Sequence, residues 1–92
     1  MMKFSVIVSD TARKFLQRRS AKERERIKKG LSCLYEDQFT SRPNANIKKL
    51  HGKKREYHRL RIGDFRAIYI VEENIVKVAY IMMRKKDYSW LD

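Results

Sequence analysis

The sequence predicts an α+β fold in which a single sheet carries a helix hairpin on one face. Three observations predict it. Apolar and polar residues alternate near the N-terminus, apolar residues recur at helical spacing between Asp10 and Asp37, and alternation returns after Glu56. The predicted order is β-α-α-β-β-β, in which the last three strands form an antiparallel meander. At 92 residues the chain is predicted to be one domain, 1–92.

The N-terminal strand and the first helix are predicted from alternation followed by a capping residue. Phe4, Val6 and Val8 alternate with smaller or polar residues, which is typical of a strand. Asp10 is then a candidate cap, because its carboxylate can accept a hydrogen bond from a free backbone N–H of the first helical turn. We expect this helix over residues 11–18.

The second helix is predicted to begin at Ser20. Glu23 follows Ser20 by three residues, so each side chain can bond to the backbone N–H of the other residue in a capping box. The helix is expected to end near Asp37 and to be followed by a loop from Gln38 to Asn46. Its apolar stripe consists of Ile27, Leu31, Leu34 and Tyr35.

Two short turns divide the C-terminal half into three predicted strands. Gly63 and Asp64 form a two-residue turn with glycine in its first position, which favours a type II′ hairpin. The second turn is expected to span Glu72 to Asn74, where Asn74 accepts the left-handed conformation. The predicted strands are 57–62, 65–71 and 75–82.

The first hairpin places three arginines on one face of the predicted sheet. A two-residue turn pairs Arg61 directly with Arg66. Because side chains alternate along each strand, Arg59, Arg61 and Arg66 then lie on the same side. The second hairpin is expected to pair Arg66 with Tyr80, which brings Arg84 to that side as well.

Directly opposed like charges destabilise a strand pair by roughly 0.2–1 kcal/mol, so this arrangement indicates a function. A bound polyanion turns the repulsion into attraction, and a guanidinium fork matches phosphate oxygens. The alternative is a solvated basic face on a protein that is basic throughout. The chain has 23 Lys and Arg against 11 Asp and Glu, a net charge of +12. This charge favours nucleic acid, an acidic protein or an anionic membrane as partner.

Composition excludes several other classes of protein. One cysteine, Cys33, allows neither an internal disulfide nor a Cys-rich zinc site. The longest apolar run, from Val78 to Met83, is shorter than the roughly 20 residues of a membrane helix. We therefore expect a cytoplasmic protein without membrane contact, metal or other cofactor.

Three motifs of the C-terminal half are specific. Residues 57–69 read Tyr-His-Arg-Leu-Arg-Ile-Gly-Asp-Phe-Arg-Ala-Ile-Tyr, residues 50–52 read Leu-His-Gly, and residues 83–88 read Met-Arg-Lys-Lys-Asp-Tyr. Together with the order of elements, these motifs resemble the RelE/ParE toxin superfamily. Relatives read roughly Tyr-Arg-Ile-Arg-Val-Gly-Asp-Tyr-Arg-Val-Ile-Tyr in the first motif and His-Arg-Lys-x-x-Tyr in the last. The resemblance covers essentially the whole chain, and Arg-x-Arg-x-Gly-Asp-aromatic-Arg is its most specific part.

The resemblance implies a type II toxin that enters the ribosomal A site and cleaves mRNA without a metal ion, by attack of a ribose 2′-hydroxyl. The family's basic pair corresponds to Arg59 and Arg61, and its transition-state arginine to Arg66. Its C-terminal arginine and tyrosine correspond to Arg84 and Tyr88, with Tyr88 as the candidate base. The implied partners are the ribosome, mRNA and a cognate antitoxin protein that masks the basic surface. The expected RNA contacts are Lys48, Lys49, Lys53, Lys54, Arg55, Lys85 and Lys86.

Departures from the family pattern keep two alternatives open. Met83 stands where many relatives carry histidine, and both members of the basic pair, Arg59 and Arg61, are arginines, which stay charged and transfer protons poorly. The alternatives are a ParE-like inhibitor of DNA gyrase and an inactive toxin relic that only binds antitoxin or nucleic acid.

Two histidines and a second aromatic residue are further candidates for the site. His51 and His58 can carry protons at neutral pH. His58 has the same strand parity as Leu60, so we expect it to face the helices. Trp90 is an alternative to Tyr88 for the aromatic role.

Overall fold

The predicted α+β class, with the helices packed on one face of a sheet, is confirmed. The computed structural model describes residues 5–43, 45–84 and 88–91. Phe4 of the predicted first strand lies outside them. The elements are β1 (Ser5–Val8), α1 (Asp10–Gln17), α2 (Ala21–Leu31), a 3₁₀ helix (Ser32–Tyr35), β2 (Asn46–Lys49), β3 (His58–Ile62), β4 (Phe65–Glu72) and β5 (Ile75–Met83).

The sheet has five strands in the order β1-β5-β4-β3-β2. The meander β3-β4-β5 is antiparallel, as predicted, whereas β1 lies parallel to β5 and makes the sheet mixed. Strand β2, antiparallel to β3, is additional to the predicted elements. Its pattern is weak because Ile47 alone of its four residues is buried.

Side chains cap both helices. Ser9, and not the predicted Asp10, caps α1, because its Oγ accepts a hydrogen bond from the Ala12 N–H at 3.1 Å. The predicted capping box of Ser20 and Glu23 is present at the start of α2. This helix ends at Leu31, earlier than predicted, and the chain continues as the 3₁₀ helix.

The main core lies between the helices and the sheet. Apolar residues of α1, α2 and the 3₁₀ helix pack against every second residue of the strands, which is the alternation the sequence predicted. Its fully buried members include Ala12, Ile27, Leu34, Leu60, Ala67, Tyr69, Val76 and Val78.

The first hairpin has the predicted register. Arg61 pairs with Arg66 across β3 and β4. Gly63 opens the turn with φ +57°, consistent with the predicted type II′ geometry, which favours glycine.

The second hairpin differs from the prediction in two ways. Its turn contains two residues, and Glu73 rather than Asn74 adopts the left-handed conformation, with φ +54°. A β-bulge leaves Ala79 of β5 unpaired. As a result Arg66 pairs with Met82, and not with Tyr80 as predicted.

A second, smaller core covers the sheet face that bears Arg59, Arg61 and Arg66, here called the arginine face. It contains the buried residues Leu50, Tyr57, Ile68, Ile70 and Leu91. Leu91 belongs to the C-terminal tail, residues 88–91, so the tail lies against the arginine face. Within the described ranges no helix has the length and apolarity to cross a lipid bilayer.

Candidate active site

Four arginines and one tyrosine meet at one end of the arginine face. Arg59 and Arg61 project from β3, and Arg66 projects from β4. Arg84 follows β5, where its N–H donates to the Asp64 carbonyl at 2.8 Å and fixes it beside the β3–β4 turn. We refer to these four residues as the arginine cluster. The structure therefore brings together residues from three segments that the sequence separates.

Arg66 is the buried member of the cluster, with 6% of its surface exposed. Its Nη1 donates to the carbonyls of Gly63, at 2.8 Å, and Phe65, at 2.9 Å. These two bonds fix the guanidinium against the hairpin turn. The side chain is therefore held in place before any substrate binds.

Electrostatics couple Arg66 to its neighbours. Burial lowers the pKa of Arg66 from its ordinary value, and the cation of Arg61 lowers it further. Arg59 and Arg84 act in the same direction with smaller effects. The Tyr88 hydroxyl acts in the opposite direction, since its anionic form would favour the guanidinium charge. An anion at this position would relieve the unfavourable interactions of all four cations.

Asn46 orients Arg59. The Arg59 Nη2 donates to the Asn46 Oδ1 at 2.6 Å, across β3 and β2. The Nε of Arg59 is buried and has no hydrogen-bond partner among the described residues.

The arginine cluster has no carboxylate partner within the described part of the chain. The ion pairs found there join Arg13 to Asp10, Arg42 to Asp37, Lys49 to Glu56 and Lys77 to Glu72. A buried cation usually has an anionic partner in the protein. Within the described residues, the acceptors of Arg66 are instead the carbonyls of Gly63 and Phe65.

The tail presents two aromatic rings at the cluster. Trp90 contacts the Tyr80 ring edge-on, with ring centroids 5.0 Å apart, and its ring centroid lies 6.4 Å from that of Tyr88. The Lys53 Nζ donates to the Tyr88 carbonyl at 2.5 Å. Tyr88 is therefore held beside Arg66 through its backbone and through the packing of its neighbours.

Tyr88 is one of the residues that line a basic groove of about 430 Å³. Three of the predicted RNA-contact residues, Lys48, Lys49 and Lys53, line it together with His51. Arg55 lines other cavities, beside Ile70. Lys54 is exposed, and Lys85 and Lys86 lie outside the described residues. The structure thus gathers part of the predicted set into one groove.

The two histidines differ in their environments. His58 faces the helices, as predicted, where it is 7% exposed and stacks on Tyr69 at 5.5 Å between ring centroids. Burial lowers the pKa of His58, Lys49 lowers it further, and Glu56 raises it. His51 is exposed in the basic groove. Of the two, His51 alone is placed to reach a molecule bound on the arginine face.

Two residues that support the site could not be identified from the sequence. Asn46 lies at the end of the predicted loop, and Lys53 is one of seven predicted RNA contacts. Both act on partners more than ten positions away, Arg59 and Tyr88. No local spacing encodes such contacts.

The described residues contain no cluster of three or more His, Cys, Asp or Glu side chains that could hold a metal ion. What they offer instead is concentrated positive charge with oriented N–H donors, beside an aromatic hydroxyl. Such a site can stabilise negative charge that develops on a phosphate.

Comparison with known proteins identifies the fold. No protein-family model matches the sequence, and no curated protein matches it either. Among solved structures, a chain of the archaeal RelE–RelB complex from Pyrococcus horikoshii has a TM-score of 0.76 at 24% identity, covering 94% of this chain and 100% of that one. A chain of the toxin–antitoxin complex RelBE2 from Mycobacterium tuberculosis has a TM-score of 0.76 at 16% identity, covering 90% and 100%. The YoeB dimer of Staphylococcus aureus gives 0.68 at 20% identity, covering 91% and 100%.

The fold is therefore that of the RelE-like proteins of toxin–antitoxin systems. This confirms, at the level of the fold, the resemblance that the Arg-x-Arg-x-Gly-Asp-aromatic-Arg motif indicated.

Proposed function

We propose that this protein is the toxin of a type II toxin–antitoxin system and an endoribonuclease that cleaves mRNA on the ribosome. One observation carries the proposal: Arg66 is buried among three other arginines and has no carboxylate partner in the described part of the chain. A phosphodiester is the ligand that best satisfies such a cluster, because guanidinium groups donate in pairs to phosphate oxygens. The RelE-like fold supports the same function.

The proposed reaction is attack by a ribose 2′-hydroxyl on the adjacent phosphorus, with departure of the 5′-oxygen. A base must take the hydroxyl proton, cations must stabilise the extra phosphate charge, and a donor must protonate the leaving oxygen. The arginine cluster supplies the cations, and Tyr88 is the candidate base. His51, exposed in the groove beside Tyr88, is the candidate proton donor.

The same site accounts for the proposed partners. Lys48, which pairs with Arg59 in the sheet, extends the positive charge of the arginine cluster into the groove, as contact with more than one phosphate of a nucleic acid requires. Among the structural neighbours, the Pyrococcus horikoshii chain comes from a RelE–RelB complex and the Mycobacterium tuberculosis chain from a toxin–antitoxin complex. We expect a cognate antitoxin to cover the arginine face here, and ribosome binding would place the protein in the cytoplasm.

Mapping of mRNA cleavage in a translation extract tests the proposal. The wild-type protein is compared with the Arg66→Ala, Tyr88→Phe double variant, each with and without ribosomes. We expect cuts that require ribosomes and disappear in the double variant. Arg13→Ala is the matched control, because Arg13 is an exposed arginine on α1 that pairs with Asp10, and its cuts should equal those of wild type.

The folded state of each variant is checked by its thermal unfolding. Absence of cuts by a folded wild-type protein would overturn the proposal. Inhibition of DNA gyrase, or binding of antitoxin or nucleic acid alone, would then be the function to test. Cuts that persist in the double variant would show that the active site does not lie on the arginine face.

A further inference from the structure

The side chain of Lys53, in the loop between β2 and β3, binds the backbone of a turn in the C-terminal tail. Its Nζ donates to the carbonyl of Tyr88 at 2.5 Å and to that of Leu91 at 3.4 Å. The Leu91 N–H donates to the Tyr88 carbonyl at 3.0 Å, which closes a four-residue turn. One ammonium group thus contacts both ends of the turn and neutralises the partial charge of two carbonyl oxygens.

Apolar packing also attaches the tail to the sheet. Leu91 is buried in the smaller core, and Trp90 contacts the ring of Tyr80. Apolar packing fixes how deeply a segment is buried, but it is not directional. Hydrogen bonds from a charged donor have a required geometry and fix orientation. The bonds from Lys53 are thus directional contacts at the backbone of Tyr88, from which the tyrosine side chain projects.

We propose that Lys53 is a positioning residue, which holds Tyr88 at the arginine cluster and does not bind the RNA backbone. This inference rests on the proposed function, because Tyr88 matters as a candidate base there. It assigns Lys53 a different role from the other lysines of the groove. The Lys48 ammonium makes none of the side-chain hydrogen bonds or ion pairs found among the described residues, so it is free for a phosphate.

Fluorescence of Trp90 tests the positioning role without any assay of activity. Trp90 is the sole tryptophan of the sequence; it is part of the turn that Lys53 binds, and it contacts the ring of Tyr80. Lys53→Met keeps the aliphatic chain and removes the ammonium. We expect its Trp90 emission to shift to longer wavelength and to be quenched more strongly by acrylamide. Lys53→Arg, which can donate to two carbonyls, should restore the wild-type spectrum.

Lys48→Met is the matched control, because it removes the same charge from the same groove. Its Trp90 spectrum should equal that of wild type. Urea unfolding of each variant, followed by circular dichroism, verifies that spectra are compared between folded proteins. An unchanged spectrum in Lys53→Met, with the protein folded, would overturn the proposal.

The cleavage assay separates positioning from RNA binding. A misplaced base slows the chemical step, so Lys53→Met should lower kcat about tenfold with KM nearly unchanged. Lys48→Met should instead raise KM and reduce the salt dependence of binding. If Lys53→Met behaves like Lys48→Met, Lys53 is a phosphate contact and the inference is wrong. If wild type cleaves nothing, the proposed function fails, and the fluorescence comparison still decides whether Lys53 holds the tail.

Discussion

Arg61 and Arg66 stand directly opposite each other on β3 and β4, and within the described residues neither forms an ion pair. Arg61 is exposed, whereas Arg66 is buried. Burial lowers the pKa of Arg66, and repulsion from Arg61 lowers it further, so the folded protein disfavours its own charge at this point. The site is thus assembled at the expense of stability, and the protein without its ligand should gain stability when the repulsion is removed.

A double-mutant cycle measures this repulsion. We expect Arg61→Met to raise the free energy of unfolding, because it removes a like charge and breaks none of the described side-chain hydrogen bonds. Arg66→Met should change it less, because relief of the repulsion is offset by loss of the bonds to Gly63 and Phe65. The coupling between the two sites should be unfavourable by about 0.2–1 kcal/mol in urea unfolding.

Salt and a distant arginine serve as controls for the cycle. The coupling should shrink at about 1 M salt, where the screening length falls to about 3 Å. Arg13→Met combined with Arg66→Met should be additive, because Arg13 lies on α1 and pairs with Asp10. A favourable coupling between Arg61 and Arg66, or one that does not depend on salt, would contradict the electrostatic interpretation.

Gly30 marks the closest approach of α2 to the sheet. A Cβ built at Gly30 would lie 2.8 Å from both Cγ1 and Cγ2 of Ile62. In an open helix, alanine would be favoured over glycine by about 0.5–1 kcal/mol. Here the added methyl group would overpack the contact with Ile62, so the substitution should destabilise the protein. We expect Gly30→Ala to lower the free energy of unfolding by about 1 kcal/mol or more.

A second substitution identifies the clash as the cause. Ile62→Ala removes the three atoms nearest to the new Cβ, so the double variant should be more stable than the sum of the two single losses predicts. Urea unfolding of the four proteins of this cycle gives the coupling. Additive losses would show that Gly30 is required for another reason.

The sheet face of the cluster arginines could be predicted although the exact pairing of β5 with β4 could not. A register shift of two residues changes the partner of a residue but leaves its side chain on the same face. The shorter second turn and the bulge at Ala79 each shift the register of β5 by one residue. Together they move the partner of Arg66 from Tyr80 to Met82 and leave Tyr80 and Met82 on the predicted face. Between the turn and the bulge only the first shift applies, so Val76 and Val78 lie in the main core and not, as the predicted pairing required, on the arginine face.

The supports of the site could not be predicted in this way. The contact from Asn46 to Arg59 requires β2, a strand with a single buried residue, to lie at the sheet edge. The bond from Lys53 to Tyr88 joins a loop to the tail across 35 positions. Alternation predicts which face a residue lies on, but such contacts depend on how loops fold back on that face, and no periodic pattern reports that.

His58 should make stability depend on pH. Burial lowers its pKa in the folded protein below the ordinary value of 6.5, so on acidification the unfolded chain takes up this proton first. The contribution of neutral His58 to the free energy of unfolding is fully present above about pH 6.5. It declines as the pH falls toward the lower pKa of His58 in the folded state. We expect the free energy of unfolding to decrease over this interval.

His58→Phe isolates that contribution, because phenylalanine retains the ring contacts with Tyr69 and Phe39 but does not titrate. Urea unfolding is measured for both proteins at several pH values from about 8 to 5. The loss of stability on acidification should be smaller in His58→Phe. Identical pH profiles would show that His58 binds its proton equally well in both states.

Replacement of single arginines by lysine distinguishes a fixed guanidinium from a mobile charge. Arg66 uses Nη1 for two carbonyls, and within the described residues its other N–H groups remain for a ligand. One ammonium cannot both reach those carbonyls and present a paired donor to a phosphate. We therefore expect Arg66→Lys to lower kcat about 100-fold, as loss of an oriented donor does.

Arg61→Lys keeps its charge at an exposed position that none of the described side-chain hydrogen bonds fixes, so its kcat should fall no more than about tenfold. Both values come from the ribosome-dependent cleavage assay, with folding of each variant verified by urea unfolding. Equal losses of kcat at the two positions would mean that positive charge alone matters. The fixed orientation of the Arg66 guanidinium would then contribute nothing to catalysis.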